Sequence, residues 1–365
     1  MTLVLEDLQI PGYERVVALT DPSVALKGII AIHSTDLGPS LGGIRMYPYT
    51  SFDDALTDVL RLSKGMTLKS ALSQCGTGGG KSVIIGDPAI HKTEALFHSF
   101  GRAVDKMMGQ YICAEDVGIT PQDVNIIHET TKYVVGLHKE KSSGNPAPYT
   151  AWGTFRGIQA GLKQVYGTDS VDGRTIAIQG LGSVGMTLAE ILFWQGARLI
   201  VADVNPQRVQ QAQAKFGAQV VPVSEIHTAA CDVFAPCALG AVFDDRSIPE
   251  LRCRIIAGCA NNQLLEERHA RSLKNRAILY APDFVINAGG LLNVSVELDK
   301  EGYDPHISRQ KVDGIYDQLL TIFDISGKSD VSTHEAALSL AEYRLKYHIG
   351  KRAEQIAFDH VGAEV

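Results

Sequence analysis

The sequence predicts an α/β protein of two domains with a helical tail, and three observations predict it. Short apolar runs alternate with helical periodicities through the first part of the chain. A charged stretch and then Ser-Ser-Gly-Asn-Pro-Ala-Pro, residues 139–148, breaks that pattern without any apolar period. Beyond it, strand-like and helix-like segments alternate one for one, the arrangement of a doubly wound parallel sheet. The domains are therefore drawn at residues 1–144 and 145–330, with the tail at 331–365. At 365 residues the chain has length for two cores, and 45% hydrophobic against 21% charged residues favours a globular protein.

Taken in order, residues 28–33, 42–49, 82–86 and 110–114 read as strands. Between the second and third, residues 51–63 place Ala55, Val59, Leu60 and Leu62 near one helical face, with Asp53, Asp54 and Asp58 largely off it. Ser51 supplies an N-cap, and the acidic first turn suits the helix dipole. A second helical pattern covers 93–108. After the break, 150–166 reads as a helix. Strands then follow at 175–179, 198–203, 219–223, 232–235, 254–258 and 278–281, with helices such as 184–195 and 206–216 between them. The tail from 306 to 360 reads as helical, broken near Gly327. Two helices cannot bury an apolar face alone, so the tail is expected to pack back across the cleft.

Composition excludes several functions. A net charge of −7 with no long basic run excludes a general nucleic-acid binder. The six cysteines form no Cys-x-x-Cys pair, so no metal site is expected and reduced thiols are. The opening Met1-Thr2-Leu3-Val4-Leu5-Glu6-Asp7 lacks the basic-then-apolar order of a signal peptide. No stretch approaches the roughly 20 apolar residues of a membrane span. A cytoplasmic enzyme, with no membrane or nucleic-acid partner, is the expectation.

Two groups of residues carry chemistry. Gly180-Leu181-Gly182-Ser183-Val184-Gly185 follows a strand and opens an apolar helix, as a dinucleotide fingerprint must. Gly180 permits the turn, Gly182 lets backbone approach a pyrophosphate, and Gly185 allows close helix–strand packing. The N–H groups of Ser183 and Val184 open the helix toward the anion. Asp203, 18 residues beyond Gly185, ends the next strand, where a carboxylate holds ribose hydroxyls and repels the extra phosphate of NADP. NAD is therefore the expected cofactor on a Rossmann domain. The run Gly76-Thr77-Gly78-Gly79-Gly80-Lys81 only looks like a phosphate loop. Position 75 is cysteine where that motif needs glycine, and the run precedes a strand instead of following one.

The second group is Lys69, Lys81 and Asp116. Two cations and a carboxylate in one cleft suit a small substrate that carries a carboxylate and a second, proton-exchanging group. His33 and His128 have no motif around them and are given no role, and Glu115 reads as structural.

The chain resembles the glutamate/leucine/phenylalanine/valine dehydrogenase family, most nearly its leucine dehydrogenase branch, from about residue 24 to the final helices. The resemblance rests on Leu37-Gly38-Pro39-Ser40-Leu41-Gly42-Gly43-Ile44-Arg45, Lys64-Gly65-Met66-Thr67-Leu68-Lys69, Gly78-Gly79-Gly80-Lys81 and Ala114-Glu115-Asp116-Val117-Gly118. Ala235-Pro236-Cys237-Ala238-Leu239-Gly240, Ala260-Asn261-Asn262-Gln263-Leu264 and Pro282-Asp283-Phe284-Val285-Ile286-Asn287-Ala288-Gly289-Gly290 extend it. It implies reversible oxidative deamination, in which an L-amino acid, NAD and water give a 2-oxo acid, NADH and ammonium. It also implies an N-terminal domain for substrate and oligomerisation, and a homo-oligomer, an octamer.

By the same resemblance, Lys69 holds the substrate carboxylate, Lys81 polarises the oxygen on the reacting carbon and helps activate water, and Asp116 moves protons to and from the amino group. Thr150, Asn261 and Asn287 match positions near nicotinamide and substrate. Leu41, Gly42, Ala114, Leu291 and Val294 match substrate positions, four of them around the side chain. That aliphatic set carries no cation for glutamate, and it suits leucine, valine and isoleucine. One methylene is worth only about 1–3 kcal/mol of discrimination, so all three are expected substrates. An aromatic amino-acid dehydrogenase on the same scaffold is the alternative. A silent NAD-binding protein is a remote one, against which the presence of Lys69, Lys81 and Asp116 together argues.

Overall fold

The computed structural model describes residues 2–137, 142–238, 240–354, 356 and 358. Of the predicted boundary at 139–148, residues 139–141 lie outside the described residues. The described residues of Met1–Asn145, Val294–Ser308 and Ala341–Val365 form one compact unit, and Pro146–Asn293 with Arg309–Leu340 form a second. The division is thus not two consecutive blocks and a tail, as drawn from the sequence. The chain crosses between units at 145/146, before a helix, and three more times within helices, which no composition shift marks.

The first unit is built on a six-stranded sheet. Its strands are β1 (Val4–Leu8), β2 (Arg15–Asp21), β3 (Leu26–Ser34), β4 (Ser40–Tyr47), β5 (Gly78–Ile85) and β6 (Tyr111–Glu115). They lie in the order β1-β2-β3-β5-β4-β6, with β4 parallel to both β5 and β6 and the other pairs antiparallel. Helix α1 (Phe52–Ser73) covers one face, where Ala55 and Val59 pack on Val16, Ile29, Ala31 and Val83. Helices α2 (Glu94–Asp105) and α3 (Pro121–His128) cover the other, burying Phe97, Phe100, Val124 and Ile127 against Ile30, Ile44 and Ile84.

Three sequence expectations change here. Strands β1 and β2 went unseen; β1 is an edge strand, half-buried at most, so no apolar alternation announces it. Helix α1 runs ten residues past 63, to Ser73. Gly65 costs a helix about 1 kcal/mol relative to alanine, and the burial of Thr67, Ser70, Ala71 and Leu72 in the added turns offsets it. Strand β5 starts at Gly78, so the glycine triplet lies inside the sheet. A Cβ on Gly79 would stand 2.1 Å from the Thr67 nitrogen. Glycine there lets α1 lie directly on the strand. Ser51 caps α1 as predicted, accepting from the Asp54 N–H at 3.0 Å.

The second unit opens with α4 (Ala147–Tyr166). Then come β7 (Thr175–Gln179), α5 (Ser183–Trp194), β8 (Arg198–Ala202), α6 (Pro206–Phe216), β9 (Gln219–Val220) and β10 (Val233–Pro236). The series continues with α7 (Ser247–Glu250), β11 (Ile255–Ile256), α8 (Arg268–Asn275), β12 (Leu279–Tyr280) and α9 (Asp283–Ile286). All six strands are parallel, in the order β12-β11-β10-β7-β8-β9. The strand order reverses between β7 and β10, and a doubly wound sheet binds its ligand at the carboxyl ends of such a pair.

Helices α10 (Gly289–Ser295), α11 (Pro305–Asp313), α12 (Ile315–Ser329) and α13 (Thr333–Lys346) complete the described chain. The expected break at Gly327 is displaced: α12 continues through it and stops where Asp330 adopts a left-handed conformation, φ 53°. The expected helix to 360 ends at Lys346; of the remaining stretch, residues 355, 357, 359 and 360 lie outside the described ones.

Candidate active site

Alternation along a strand decides which side chains of the first unit meet. Leu41, Gly43 and Arg45 share one face of β4, and β4–β5 register sets Leu41 beside Gly79 and Arg45 beside Val83, leaving Gly43 level with Lys81. On the other flank Gly43 is level with Ala114 of β6, and Asp116 follows two residues later. The result is an ionic cluster that joins mid-strand Lys81 on β5 and Arg45 on β4 to Asp116 just past the carboxyl end of β6. Lys81 Nζ lies 2.7 Å from Asp116 Oδ2. Arg45 Nε donates to the same oxygen at 3.2 Å. A Cβ on Gly43 would stand 2.6 Å from the Asp116 Cβ and 3.2 Å from Lys81 Nζ, so position 43 has to be bare for the pair to close.

Lys81 is only 6% exposed, an uncommon place for a lysine without a paired anion. Burial alone would raise the Asp116 carboxyl. The Lys81 ammonium and then the Arg45 guanidinium outweigh it, holding Asp116 below the usual carboxylate range. The opposite face of the sheet stiffens this arrangement. Tyr111, wholly buried, donates its hydroxyl to the Gly42 carbonyl at 2.8 Å, and the Ser82 hydroxyl lies 2.9 Å from it.

Of the other residues assigned here, Leu41 is buried on β4, Ala114 is half-buried on β6, and Lys69 is half-buried on α1. Val294 on α10 lies 3.7 Å from where a Cβ on Gly136 would stand. Sequence reasoning left Arg45 without a role, although it stands in one of the motifs. Its signal was the spacing, because a cation two residues after Gly43 faces the same way as Gly43.

In the second unit, backbone does the shaping. Gly180 sits at φ +97°, and a Cβ there would stand 2.6 Å from Ala238 Cβ. A Cβ on Gly185 would stand 2.0 Å from the Gly180 carbonyl. Gly182 is the N-cap of α5, makes no side-chain cap, and faces space with no heavy atom within 4 Å of a Cβ built on it. Open N–H groups, a positive dipole end and an uncrowded approach fit a pyrophosphate. Exposed Ser183 and half-buried Val184 form the first turn.

Asp203, expected to hold ribose hydroxyls, also bonds backbone at the end of β8. Its Oδ2 accepts from the Leu181 N–H at 2.6 Å and its Oδ1 from the Asn205 N–H at 2.7 Å. The carboxylate thus pins the glycine turn to the end of β8, and each oxygen keeps a further lone pair. Asn287 Nδ2 donates to Asn261 Oδ1 at 2.7 Å and to the Cys259 carbonyl at 3.3 Å, while its buried Oδ1 has no partner. That orphaned acceptor suits an amide or ammonium donor from a ligand. Thr150, on α4, donates to the Pro146 carbonyl at 3.1 Å, and Leu291 is buried on α10. These residues fit a nicotinamide dinucleotide. Among the described residues there is no cluster of three or more potential metal ligands, and no helix is long and apolar enough to cross a membrane.

Comparison with known proteins is consistent with both halves of this geometry. A family model described as the Glu/Leu/Phe/Val dehydrogenase dimerisation domain matches residues 14–133, and one described as Glutamate/Leucine/Phenylalanine/Valine dehydrogenase matches 199–361. A leucine dehydrogenase of Thermoactinomyces intermedius is 48% identical over 335 residues, 92% of this chain and 91% of that one. An L-tryptophan dehydrogenase of Nostoc punctiforme is 44% identical over 356 residues, 97% and 99% of the two chains. The solved structure of L-tryptophan dehydrogenase from Nostoc punctiforme superposes with a TM-score of 0.81 at 43% identity, covering 92% of this chain and 97% of that one. With the cluster on one sheet and the glycine turn on the other, the chain belongs to the Glutamate/Leucine/Phenylalanine/Valine dehydrogenase family of amino-acid dehydrogenases.

Proposed function

We propose that this protein catalyses the NAD-dependent, reversible oxidative deamination of a branched-chain aliphatic L-amino acid, leucine with valine and isoleucine, to the 2-oxo acid and ammonium. The observation that carries it is the Lys81–Asp116 pair at 2.7 Å, its lysine buried and both partners beside bare Gly43. It supports this reading because a cation and a carboxylate 2.7 Å apart can both hydrogen-bond to one small group. Lys81 holds and polarises the oxygen that water adds to the reacting carbon. Asp116 takes a proton from the amino group and returns it to the departing ammonia. Lys69 holds the substrate carboxylate as a fixed cation. A bound nicotinamide supplies the acceptor for the α-hydrogen and its two electrons.

Gly180, Gly182, Ser183, Val184 and Gly185 hold the pyrophosphate, and Thr150, Asn261 and Asn287 hold the nicotinamide end. Asp203 selects NAD by leaving a negative charge where NADP carries its extra phosphate. Leu41, Gly42, Ala114, Leu291 and Val294 are assigned to the substrate, with Asn261 shared between substrate and cofactor. Their aliphatic character and the 48% identity to a leucine dehydrogenase support leucine-type substrates. The protein works as a homo-oligomer, an octamer, through the part that matches the dimerisation domain. Six free cysteines and no disulfide among the described residues support a reducing, cytoplasmic setting.

A second reading has its own support. Ala114 presents only a methyl group, and the tryptophan dehydrogenase is 44% identical, so an aromatic substrate on the same scaffold is the alternative. NADH absorbance with leucine, valine, isoleucine, phenylalanine, tryptophan and glutamate, with NAD and then NADP, decides between them. Aliphatic turnover with NAD, abolished in Lys81→Ala, is the expected result. Aromatic turnover alone selects the second reading, and no turnover by folded, NAD-binding protein contradicts both.

A further inference from the structure

The ionic cluster does not end at Asp116. Arg45 Nε meets Asp116 Oδ2 at 3.2 Å, and its Nη1 meets Asp58 Oδ2, on α1, at 3.0 Å. The Tyr49 hydroxyl donates to that same Asp58 oxygen at 2.7 Å, and Arg61 Nη2 donates to Asp58 Oδ1 at 3.1 Å. One guanidinium is therefore shared between two carboxylates, one from the strand ends and one from the covering helix. Both ion pairs are largely removed from solvent, with side-chain exposures of 22% for Arg45, 24% for Asp116 and 17% for Asp58.

We propose that Arg45 is a positioning residue for Asp116, fixing its carboxylate and setting the pH at which it ionises, with Asp58 as the competing anchor that limits its hold. The inference rests on the reading of Asp116 as the proton-exchanging group.

The argument is one of charge and reach. Lys81 must serve the substrate's oxygen, so its attraction for Asp116 changes during the reaction. Arg45 stays charged at any working pH and presents a planar fork held at two points. It is the constant part of the field at Asp116. The charged and titratable groups around that carboxylate are Lys81 from β5, Arg45 from β4 and Asp58, backed by Arg61, from α1. Glu115 precedes it on β6, and buried Tyr111 interacts electrostatically with it. Among these, Arg45 and Asp58 act with opposite sign. Without Arg45 the Asp116 anion loses a cation, so a higher pH is needed to ionise it. Without the Asp58 charge, the guanidinium has Asp116 as its remaining carboxylate, and a lower pH suffices.

The test is the ionisation of the Asp116 carboxyl itself, followed by infrared difference spectroscopy against Asp116→Asn over the pH range in which circular dichroism shows the fold intact, together with kcat and KM for the amino acid that the wild-type enzyme oxidises best. It compares wild type, Arg45→Gln, Arg45→Lys and Asp58→Asn. In Arg45→Gln the midpoint moves up by about one pH unit, the lower end of what a guanidinium does to a neighbouring carboxyl. In Asp58→Asn it moves down. Arg45→Lys keeps the midpoint near its wild-type position but lowers kcat more than it raises KM. Should Arg45→Gln not fold, the downward shift in Asp58→Asn and the split in Arg45→Lys decide. A midpoint that stays put in the folded variants, or moves the same way in Arg45→Gln and Asp58→Asn, overturns the proposal and leaves Arg45 a packing residue. Asp116→Asn is the separate control: wild-type turnover in it overturns the reading of Asp116 itself, and Arg45's role with it.

Discussion

The two sheets of this protein present chemistry in opposite ways. The mixed sheet of the first unit holds it in side chains, with Lys81, Asp116 and Arg45 locked to one another over distances of 2.7 and 3.2 Å. The parallel sheet of the second unit holds it in backbone, at a glycine turn where side chains are excluded and Gly182 faces open space. The difference follows from the ligands each is suited to. A group that must move protons needs titratable atoms held in a fixed field. A pyrophosphate needs N–H donors and no steric obstruction. Damage to the first region should therefore fall on turnover, and damage to the second on cofactor binding.

The largest expected effect breaks the first region alone. Lys81→Ala should lower kcat by about a thousandfold, within the usual span for losing an acid–base group, while NADH affinity measured by fluorescence titration stays near wild type. Equal losses in both would erase the distinction. Next, Gly185→Ala puts a Cβ 2.0 Å from the Gly180 carbonyl. It should weaken NADH binding by about tenfold or more, in keeping with the 1–3 kcal/mol that overpacking costs. With NADH saturating, kcat should fall far less.

A third prediction concerns acid stability. Asp116 is held below its unfolded value of 3.8, so its pairing stabilises the fold above that value and is lost as pH falls through the lower folded one. Wild type should therefore lose denaturant stability more steeply below that pH than Asp116→Asn does; parallel curves would mean that the cluster adds nothing to folding. The smallest effect is expected from Tyr111→Phe. It removes the hydroxyl that bonds the Gly42 carbonyl, at a cost of about 1–2 kcal/mol in urea denaturation, with cofactor affinity untouched.

The same contrast explains what was legible in the sequence. The parallel sheet announced itself, because most of its strands fall in short apolar runs and the Gly180–Gly185 turn sits at the required junction. The Lys81–Asp116 pair was legible as residue types and motif, and the structure brings those two together. Strand β1 was not legible, since an edge strand needs no apolar face. Nor was the reach of α1 to Ser73, where packing on Gly79 overrides the glycine within the helix. Arg45 and Asp58 escaped because they lie 13 residues apart, on a strand and a helix, and only the folded sheet joins them. Asp203 was legible as an acid at the end of β8, but its two backbone partners depend on how the turn closes.

The central claim is that Lys81 and Asp116 act as one unit in amino-acid oxidation. The most direct test is NADH formation from L-leucine by wild type, Lys81→Ala, Asp116→Asn and the double variant, all shown to be folded. The account predicts that each single change removes nearly as much turnover as both together, because residues that act as a unit are strongly non-additive. Losses that multiply in the double variant, or a single variant that turns over leucine like wild type, would contradict it.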